Sequence, residues 1–159
     1  MPDQHLTELS FSSLELAEPL QQGIVDAGFI NATPIQAQSL PIALAGGDVA
    51  GQAQTGTGKT AAFLVALYQH LLTHPIESPE ENGIRALVLA PTRELAVQIA
   101  NDAETLGQHT GLKIGLAFGG TDYDKQRDRI AAGIDILIGT PGRIIDYFKQ
   151  RVFHMHQAQ

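Results

Sequence analysis

A run of residues at positions 53–60 has the composition and spacing of a loop that binds phosphate. A triphosphate needs hydrogen bonds from several consecutive backbone N–H groups, and glycines permit the tight turn that aims those groups at one point. Lys59 is predicted to place a positive charge at the β- and γ-phosphates, and the Thr60 hydroxyl to ligate Mg²⁺. We therefore predict a nucleoside-triphosphate site in which Lys59 and Thr60 carry the chemistry. The members of this phosphate loop are Ala53, Gln54, Thr55, Gly56, Thr57, Gly58, Lys59 and Thr60.

The first position of the phosphate loop departs from the usual pattern, which begins with glycine where this chain has Ala53. A simpler interpretation is a glycine-rich turn between a strand and a helix that happens to contain a lysine. The context favours phosphate binding, because a strand is predicted before the loop and a helix after it, and the amino end of a helix attracts anions. The pattern indicates a phosphate ligand and does not specify a reaction.

Upstream of the loop, the chain marks the start of a helix. Thr33 suits the N-cap position, Pro34 suits the first helical position, and Gln36 follows three residues after the cap. Gln36 therefore fits a capping box with Thr33. Its amide also offers a donor and an acceptor together, which match the amino group and a ring nitrogen of adenine. Both roles stay open, and the place of Gln36 just before the phosphate loop favours adenine.

Three short stretches downstream each follow a predicted strand. The carboxyl ends of parallel strands meet at the edge of a sheet where ligands bind, and helix amino termini and glycine N–H groups bind phosphates without reading bases. With two arginines adding charge, the stretches predict a sequence-independent contact with a nucleic-acid backbone. The alternative is that Pro and Thr only begin helices, and that the arginines are solvated or paired within the protein. The stretches contain Pro91, Thr92 and Arg93; Gly119 and Gly120; and Thr140, Pro141, Gly142 and Arg143.

Short apolar segments alternate with longer helical patterns along most of the chain. This alternation, with strands apolar on both faces, predicts an α/β fold in which a parallel sheet has helices on both faces. Pro75–Gly83 is predicted to be a surface loop. The predicted strands are 48–53, 86–90, 112–118 and 134–138, and the predicted helices are 14–27, 33–46, 58–74, 93–106, 122–132 and 141–150.

Composition limits the classes of function. The chain has 159 residues, 43% of them hydrophobic, which is enough for one domain with a core. A formal charge of -7 argues against coating nucleic acid by bulk charge, so any such contact must be local. The absence of cysteine excludes disulfides and thiolate metal sites and fits a reducing cytoplasm. Neither a membrane span nor an export signal is predicted.

The alanine-led phosphate loop and the stretches around it resemble the DEAD-box family of ATP-dependent RNA helicases. Gly28-Phe29 and Thr33-Pro34-Ile35-Gln36 resemble the family's Q motif, and the stretches at Pro91 and Thr140 resemble its motifs Ia and Ib. The resemblance implies a RecA-like P-loop domain that uses ATP and Mg²⁺ to unwind RNA.

By the same resemblance, Gln36 bonds the adenine edge, Phe29 packs on the base and Phe11 supports that segment. The family pattern divides the chain into a flexible N-terminus at 1–10, a Q-motif region at 11–37, and a partial ATP-binding domain at 38–159.

The 159 residues do not contain the Asp-Glu-Ala-Asp sequence of this family. They also lack a second domain, which the resemblance implies as the source of an arginine finger. Without these groups, no carboxylate positions Mg²⁺ and the attacking water, and no cation offsets the charge of the transition state. The domain is therefore expected to be C-terminally incomplete, to bind ATP and RNA weakly, and not to hydrolyse ATP by itself.

Within the family, three segments resemble the bacterial members that work with the RNA degradosome: Gly51-Gln52, Ala96–Ile99 and Gly119–Gln126. This resemblance implies a role in RNA degradation, with degradosome components bound through the second domain. Two alternatives remain from other classes of protein. One is a P-loop motor that acts on DNA, and the other is a non-catalytic module that binds nucleotide weakly.

Two pairs of histidines invite a metal interpretation. His154 and His156 have no cysteine or carboxylate near them in the sequence, and two ligands do not make a site. His70 and His74 lack the intervening glutamate of a zinc-protease helix. The sequence therefore predicts no metal site other than Mg²⁺ at Thr60.

Overall fold

A computed structural model describes residues 6–159 of the chain. Its three strands form one parallel sheet in the order β1-β3-β2, so β3 pairs with a neighbour on each side. The parallel sheet with its helices confirms the predicted α/β class. The strands are β1 at Ala86–Leu89, β2 at Ile114–Ala117 and β3 at Ile136–Gly139.

Helices separate the strands along the chain. No helix in residues 6–159 combines the length and the apolar character needed to cross a membrane. One compact unit comprises the described residues up to Pro75 together with Thr105–Thr110, and a second comprises Ile76–Glu104 and Gly111–Gln159. The helices are α1 at Glu18–Asp26, α2 at Pro34–Leu44, α3 at Lys59–Thr73, α4 at Arg93–Gly107, α5 at Tyr123–Ala131 and α6 at Pro141–Lys149, with a 3-10 turn at Phe11–Ser13.

The first unit packs α1 and α3 closely against the end of α4. A Cβ at Gly23 of α1 would lie 2.0 Å from the carbonyl oxygen of Leu106, so only glycine permits this approach. Tyr68 of α3 is fully buried, and a Cβ at Gly107 would lie 2.3 Å from its ring. The first approach joins α1 to α4, and the second holds α3, the helix that follows the phosphate loop.

The beginning of the described chain pairs with the residues before α2. Thr7 donates from its backbone N–H to the carbonyl of Ala32 at 2.8 Å, and Ser10 forms an antiparallel bridge with Asn31. The flexibility predicted for residues 1–10 stays a prediction, and residues 1–5 lie outside the described chain. The predicted boundary at residue 37 also stays a prediction.

The second unit has its core around the sheet. All four residues of β3 are buried, as expected for a central strand with both faces covered. Helices α5 and α6 contribute Ile130, Ile144 and Tyr147 to the same cluster. The buried residues of this cluster are Ile84, Ala117, Ile130, Ile134, Leu137, Ile144, Tyr147, Val152 and Phe153.

Two predicted elements are wrong. Residues 48–53 do not form a strand, and Val49 is 43% exposed. A strand requires a neighbouring backbone that accepts its ladder hydrogen bonds, and no segment among residues 6–159 pairs with this one. Helix α1 begins at Glu18 rather than at residue 14, because Pro19 suits the first turn of a helix and not its interior. The remaining helices and strands lie within two residues of their predicted bounds.

Candidate nucleotide-binding loop and nucleic-acid interface

The phosphate loop leads directly into α3. Gly58 is the N-cap in a left-handed conformation with φ of 87°, and Lys59 and Thr60 are the first two residues of the helix. Gln54, Thr55 and Gly56 are exposed, so the outer side of the loop is open to a ligand. The positive end of the α3 dipole therefore lies at the loop, as the sequence predicted.

The side chain of Lys59 is folded back on the loop. Its ammonium donates to the carbonyl oxygen of Ala53, across the loop from the start of the helix. The Thr57 hydroxyl donates to the carbonyl of Gln54 at 2.7 Å and closes the turn from inside. A phosphate would have to replace the Ala53 carbonyl as the partner of Lys59.

Gln36 ties α2 to the phosphate loop. Its side-chain oxygen accepts from the backbone N–H of Thr33 at 2.9 Å, and its side-chain nitrogen donates to the carbonyl of Gly58 at 3.1 Å. The Thr33 hydroxyl adds a bond to the carbonyl of Thr57 at 2.8 Å. Both ends of the amide are thus engaged, and Gln36 is only 3% exposed. The capping interaction is present, and contact of Gln36 with adenine stays a prediction.

The contact with Gln36 also explains why position 58 is glycine. A Cβ there would lie 2.4 Å from the side-chain nitrogen of Gln36 and 3.2 Å from the Thr33 hydroxyl oxygen. Gly56 has φ of 82° and no atom within 4 Å of such a Cβ. The glycine at 58 is therefore required both by the turn and by the packing, and the glycine at 56 by the turn alone.

Phe11 and Phe29 form a stacked pair in the same unit. Their ring centroids lie 5.9 Å apart with an interplanar angle of 26°. Phe11 is 2% exposed and Phe29 is 36% exposed, so the first ring supports the second from below. This arrangement fits the predicted division in which Phe29 offers a face to a base, and that role stays a prediction.

In the second unit, the three predicted nucleic-acid stretches begin at one edge of the sheet. The backbone N–H of Ala90 donates to the carbonyl of Gly139, and that of Thr140 donates to the carbonyl of Ala117, both at 2.9 Å. The strands therefore end level with one another, and we call the three stretches that follow them the sheet edge. Its residues Pro91, Thr92, Arg93, Gly119, Gly120, Pro141 and Gly142 are exposed, and Thr140 and Arg143 are half-buried.

Arg93 joins the first of these stretches to the second. Its guanidinium lies 5.0 Å from the centroid of the Phe118 ring, within the range of a cation–π contact. A Cβ at Gly120, where φ is 80°, would lie 3.3 Å from a terminal nitrogen of Arg93. Thr92 caps α4, because its hydroxyl accepts from the backbone N–H of Leu95 at 3.2 Å. The helix terminus, the glycine backbone and the cation are thus brought together.

Arg143 is held by aromatic rings. Its guanidinium lies 4.8 Å from the ring centroid of Tyr123 and 5.5 Å from that of Tyr147. It also donates at 3.3 Å to the side-chain oxygen of Gln126 and to the hydroxyl of Tyr147. Tyr147 in turn donates to the backbone carbonyl of Tyr123 at 2.7 Å. Arg143 is therefore partly paired within the protein, as the alternative interpretation of the sequence proposed.

Gln126 is a residue whose position the sequence did not predict. Its side-chain oxygen accepts from the backbone N–H of Phe118 at 3.2 Å as well as from Arg143. It therefore connects the glycine stretch after β2 to the arginine at the start of α6. The only sequence signal was its place at the end of the segment Gly119–Gln126, which does not indicate a contact with residue 143.

The aromatic side of this cluster stays neutral. Burial, followed by interaction with Asp146, raises the pKa of the Tyr123 hydroxyl above its usual value near 10. A neutral phenol keeps the ring face attractive to a guanidinium without forming a competing ion pair.

No carboxylate of residues 6–159 lies within ion-pair distance of Arg93 or Arg143. Both arginines therefore keep their net positive charge for an anionic ligand.

Known proteins resemble this chain over all or most of its length. The family model described as DEAD/DEAH box helicase matches residues 33–158. The chain is 59% identical to a protein named ATP-dependent RNA helicase RhlB from Sodalis glossinidius, covering all of this chain and 39% of that protein. It is 55% identical to a protein of the same name from Pseudoalteromonas atlantica, covering all of this chain and 37% of that protein.

Among solved structures, the chain resembles the crystal structure of a DEAD box protein from the hyperthermophile Methanococcus jannaschii. The TM-score is 0.81 and the sequence identity is 34%, covering 95% of this chain and 40% of that one. This likeness confirms the fold class, and the chain spans less than half the length of each of these relatives.

Proposed function

Since this chain belongs to the DEAD/DEAH box helicase family, we propose that it forms the ATP-binding and RNA-binding part of an ATP-dependent RNA helicase. The observation that carries the proposal is the tether between Gln36 and the phosphate loop. It couples a segment suited to adenine with a loop suited to a triphosphate, within one compact unit.

The phosphate end of ATP is proposed to bind at the start of α3. Lys59 would leave the carbonyl of Ala53 and bind the β- and γ-phosphates, while backbone N–H groups of the exposed loop surround them. The Thr60 hydroxyl, one residue further along the helix, would ligate the Mg²⁺ that accompanies ATP. Lys59 and Thr60 are therefore the proposed catalytic residues of this chain.

The base is proposed to bind on the side of the loop marked by Phe29 and Gln36. Gln36 is buried and engaged at both ends of its amide, so it contacts adenine only if one of those hydrogen bonds is exchanged. The exchange would loosen the tether to Gly58 when the base enters. The proposal therefore links recognition of adenine to the conformation of the phosphate loop.

RNA is proposed to bind along the sheet edge. Exposed glycine N–H groups and two helix amino termini suit phosphates, and Arg93 and Arg143 supply charge. None of these groups reads a base, so the contact is independent of sequence. The net charge of -7 confines the attraction to this local set, which makes binding sensitive to salt.

Finer parts of the proposal concern the biological role. RhlB is the printed name of the relatives, and we propose a cytoplasmic role in RNA degradation beside degradosome components, as the motif resemblance implies. The proposed division at residues 10 and 37 separates the terminus and the Q-motif region from the ATP-binding domain. The 159 residues contain no Asp-Glu-Ala-Asp sequence, so we propose that as an isolated polypeptide they do not turn over ATP.

Release of phosphate from ATP and GTP tests the proposal. In a polypeptide that includes the Asp-Glu-Ala-Asp sequence, single-stranded RNA should stimulate ATP hydrolysis more than single-stranded DNA of the same length and sequence, and GTP should be a poor substrate. The isolated 159-residue polypeptide should show no stimulated turnover above its Lys59→Ala variant. Equal stimulation by RNA and DNA would contradict the proposed preference for RNA, stronger stimulation by DNA would indicate a DNA motor, and equal use of GTP would contradict the adenine role of Gln36.

A further inference from the structure

One cluster outside the two ligand regions gathers side chains that bind metals. Glu80, from the loop before β1, lies beside His154 and His156, which are 74 and 76 positions further along the chain. One ligand atom from each of the three residues lies within 4.8 Å of the other two. Two imidazoles and one carboxylate form a donor set that zinc uses, with a fourth position left for water. We propose that Glu80, His154 and His156 bind a divalent transition-metal ion, with zinc the best fit.

The distances suit shared ligation better than hydrogen bonding. The Glu80 Oε2 atom lies 3.4 Å from Nε2 of His154 and 3.7 Å from Nδ1 of His156. Both separations exceed the 2.7–2.9 Å of a charge-assisted hydrogen bond. Ligand atoms about 2.0–2.1 Å from a tetrahedral zinc lie roughly 3.4 Å from one another. Only small side-chain rotations are then needed to bring all three atoms onto one ion.

The backbone around the cluster is already fixed. The loop at 80–84 and the segment at 154–157 are joined by Ile84 N–H to the His154 carbonyl at 3.1 Å and by His154 N–H to the Asn82 carbonyl at 3.0 Å. Gln157 adds two bonds, accepting from the Glu80 N–H at 2.8 Å and donating to the carbonyl of residue 78 at 2.9 Å. The two segments that supply the ligands are therefore held together before an ion binds, which lowers the entropy that binding costs.

The three side chains differ in how freely they can adjust. His154 is 25% exposed, Glu80 is 52% exposed and His156 is 77% exposed. His154 Nε2 donates to the carbonyl of Glu81 at 2.9 Å, so an ion at this nitrogen replaces that hydrogen bond and the ring proton moves to Nδ1. This exchange, together with the open access at His156, predicts a weaker affinity than that of a buried site whose ligands have no other partners to give up. Oxygen-preferring Mg²⁺ is not expected to compete.

Sequence reasoning dismissed His154 and His156 because no carboxylate lies near them in the chain. The structure corrects that argument. The loop that contains Glu80 pairs with the segment that contains the two histidines, and this pairing brings the carboxylate beside them. A second histidine pair gives a matched control. His70 and His74 stand one turn apart on α3, with ring centroids 4.3 Å apart, and no third metal-binding side chain of residues 6–159 is grouped with them.

Titration calorimetry with ZnCl₂ on the untagged protein, in excess Mg²⁺, tests the site. We expect one equivalent of Zn²⁺ to bind, with affinity at least tenfold weaker in His156→Ala and in Glu80→Gln. The double variant His70→Gln/His74→Gln should bind as the wild type does. Co²⁺ in place of Zn²⁺ should give the absorption of a four-coordinate ion, lost in the same two variants.

The alternative is an ion pair between Glu80 and protonated histidines, without a metal site. Undiminished Zn²⁺ affinity in His156→Ala and Glu80→Gln would overturn the proposal, as would loss of binding in the His70 and His74 double variant. Because His156 is the most exposed of the three residues, its replacement should leave the circular dichroism spectrum unchanged, and loss of affinity then reports the ligand rather than the fold.

Discussion

In the phosphate loop, the ammonium of Lys59 donates to a carbonyl of its own loop, whereas at the sheet edge the guanidinium of Arg143 lies over two tyrosine rings. The loop cation is bound to a group that a phosphate must displace. The edge cation is supported by two ring faces, the Gln126 amide and the Tyr147 hydroxyl, none of which is a carboxylate. Under the proposed function, the first region would have to rearrange to bind its ligand, and the second would have to keep its shape.

This difference follows from the chemistry of the two side chains. An ammonium is a compact charge on a flexible stem and takes whatever acceptor is nearest, while a planar guanidinium stacks on aromatic rings and still hydrogen-bonds at its rim. Replacing Lys59 should therefore affect binding and chemistry without affecting the fold. Replacing Arg143 should affect both RNA affinity and stability.

The largest effect is expected from Lys59→Ala. Removing the charge that is proposed to bind the β- and γ-phosphates should reduce RNA-stimulated ATP hydrolysis by about 10²–10³-fold in a polypeptide that includes the Asp-Glu-Ala-Asp sequence. The thermal unfolding midpoint should stay within error of the wild type, because the ammonium is bound to a loop carbonyl and not to the core.

Lys113→Ala provides the control, since this lysine is exposed just before β2 and outside the phosphate loop. Its ATP hydrolysis should equal that of the wild type. If Lys59→Ala lost activity only in proportion to a loss of circular dichroism, the residue would have a structural role and the contrast with Arg143 would fail.

The second prediction concerns Gly58→Ala. Alanine at φ of 87° is strained by about 1–2 kcal/mol, and its Cβ would also lie 2.4 Å from the Gln36 amide nitrogen. Displacing Gln36 breaks the tether, so ATP affinity should fall by about tenfold and unfolding free energy by roughly 2–4 kcal/mol.

Gly111→Ala separates strain from packing. Gly111 has φ of 75° and no atom within 4 Å of an added Cβ, so this variant carries the backbone strain alone. Urea unfolding and nucleotide titration are measured for both variants. The extra loss of stability and of ATP affinity in Gly58→Ala is the contribution of the contact with Gln36. Equal losses in the two variants would show that the tether between α2 and the loop contributes nothing.

Most of the fold was predictable because its signals are local. The helix that begins at Pro34 and the one that begins at Pro141 were marked by a Thr-Pro pair, and β1 by the unbroken apolar run at 86–90. The strand predicted at 48–53 failed because a strand depends on a distant partner, which a local pattern cannot supply. The predicted start of α1 at residue 14 was wrong because it followed the apolar spacing before Pro19. Proline prefers the first turn of a helix, and the helix begins accordingly at Glu18.

For the candidate sites, the sequence predicted residues but not the contacts that those residues make. Spacing predicted Lys59 and Arg143 as cations of ligand sites, since each follows a strand or opens a helix, and that role stays a prediction. It did not predict that Gln126 would hold Arg143, or that Glu80 would reach His154, because these pairs are 17 and 74 positions apart. Side chains at such separations meet only through the path of the backbone.

The third prediction compares Arg93→Gln with Arg143→Gln. Both should weaken single-stranded RNA binding by about three- to tenfold, uniformly across sequences, and lower the salt slope by about 1. Only Arg143→Gln should also reduce stability, by about 1–2 kcal/mol, because it removes two ring contacts and the bond to Gln126. Arg93 is itself exposed and contacts one ring, that of Phe118, so its replacement should cost little stability.

Fluorescence anisotropy at several salt concentrations measures the RNA affinity, and urea unfolding measures stability. Arg129→Gln, an exposed position on α5, is the charge-matched control and should change neither the slope nor the midpoint by a comparable amount. Equal destabilisation by the Arg93 and Arg143 variants would mean that the contacts of Arg143 with the Tyr123 and Tyr147 rings do not stabilise the sheet edge.

The smallest effect is expected from acid titration, which separates the two units by their chemistry. In the unit that contains the phosphate loop, Asp26 of α1 accepts from His109 at 2.6 Å, from Gln108 at 3.2 Å and from Gln22 at 3.0 Å. The bond with His109, followed by that with Gln22, lowers the pKa of Asp26 below its usual value near 3.9.

The sign of the effect follows from the lowered pKa. A carboxylate whose pKa is depressed by folding stabilises the protein at pH values above its unfolded pKa, and the contribution is lost as the pH falls through the folded pKa. Asp26→Asn should therefore be slightly less stable than the wild type at neutral pH and equally stable well below pH 3.9. Urea unfolding across that range measures the difference, with Asp48→Asn as an exposed control that should match the wild type throughout. A difference between Asp26→Asn and wild type that persisted unchanged well below the folded pKa would show that the substitution acts through something other than the charge of this carboxylate, because a protonated Asp26 carries no charge to lose.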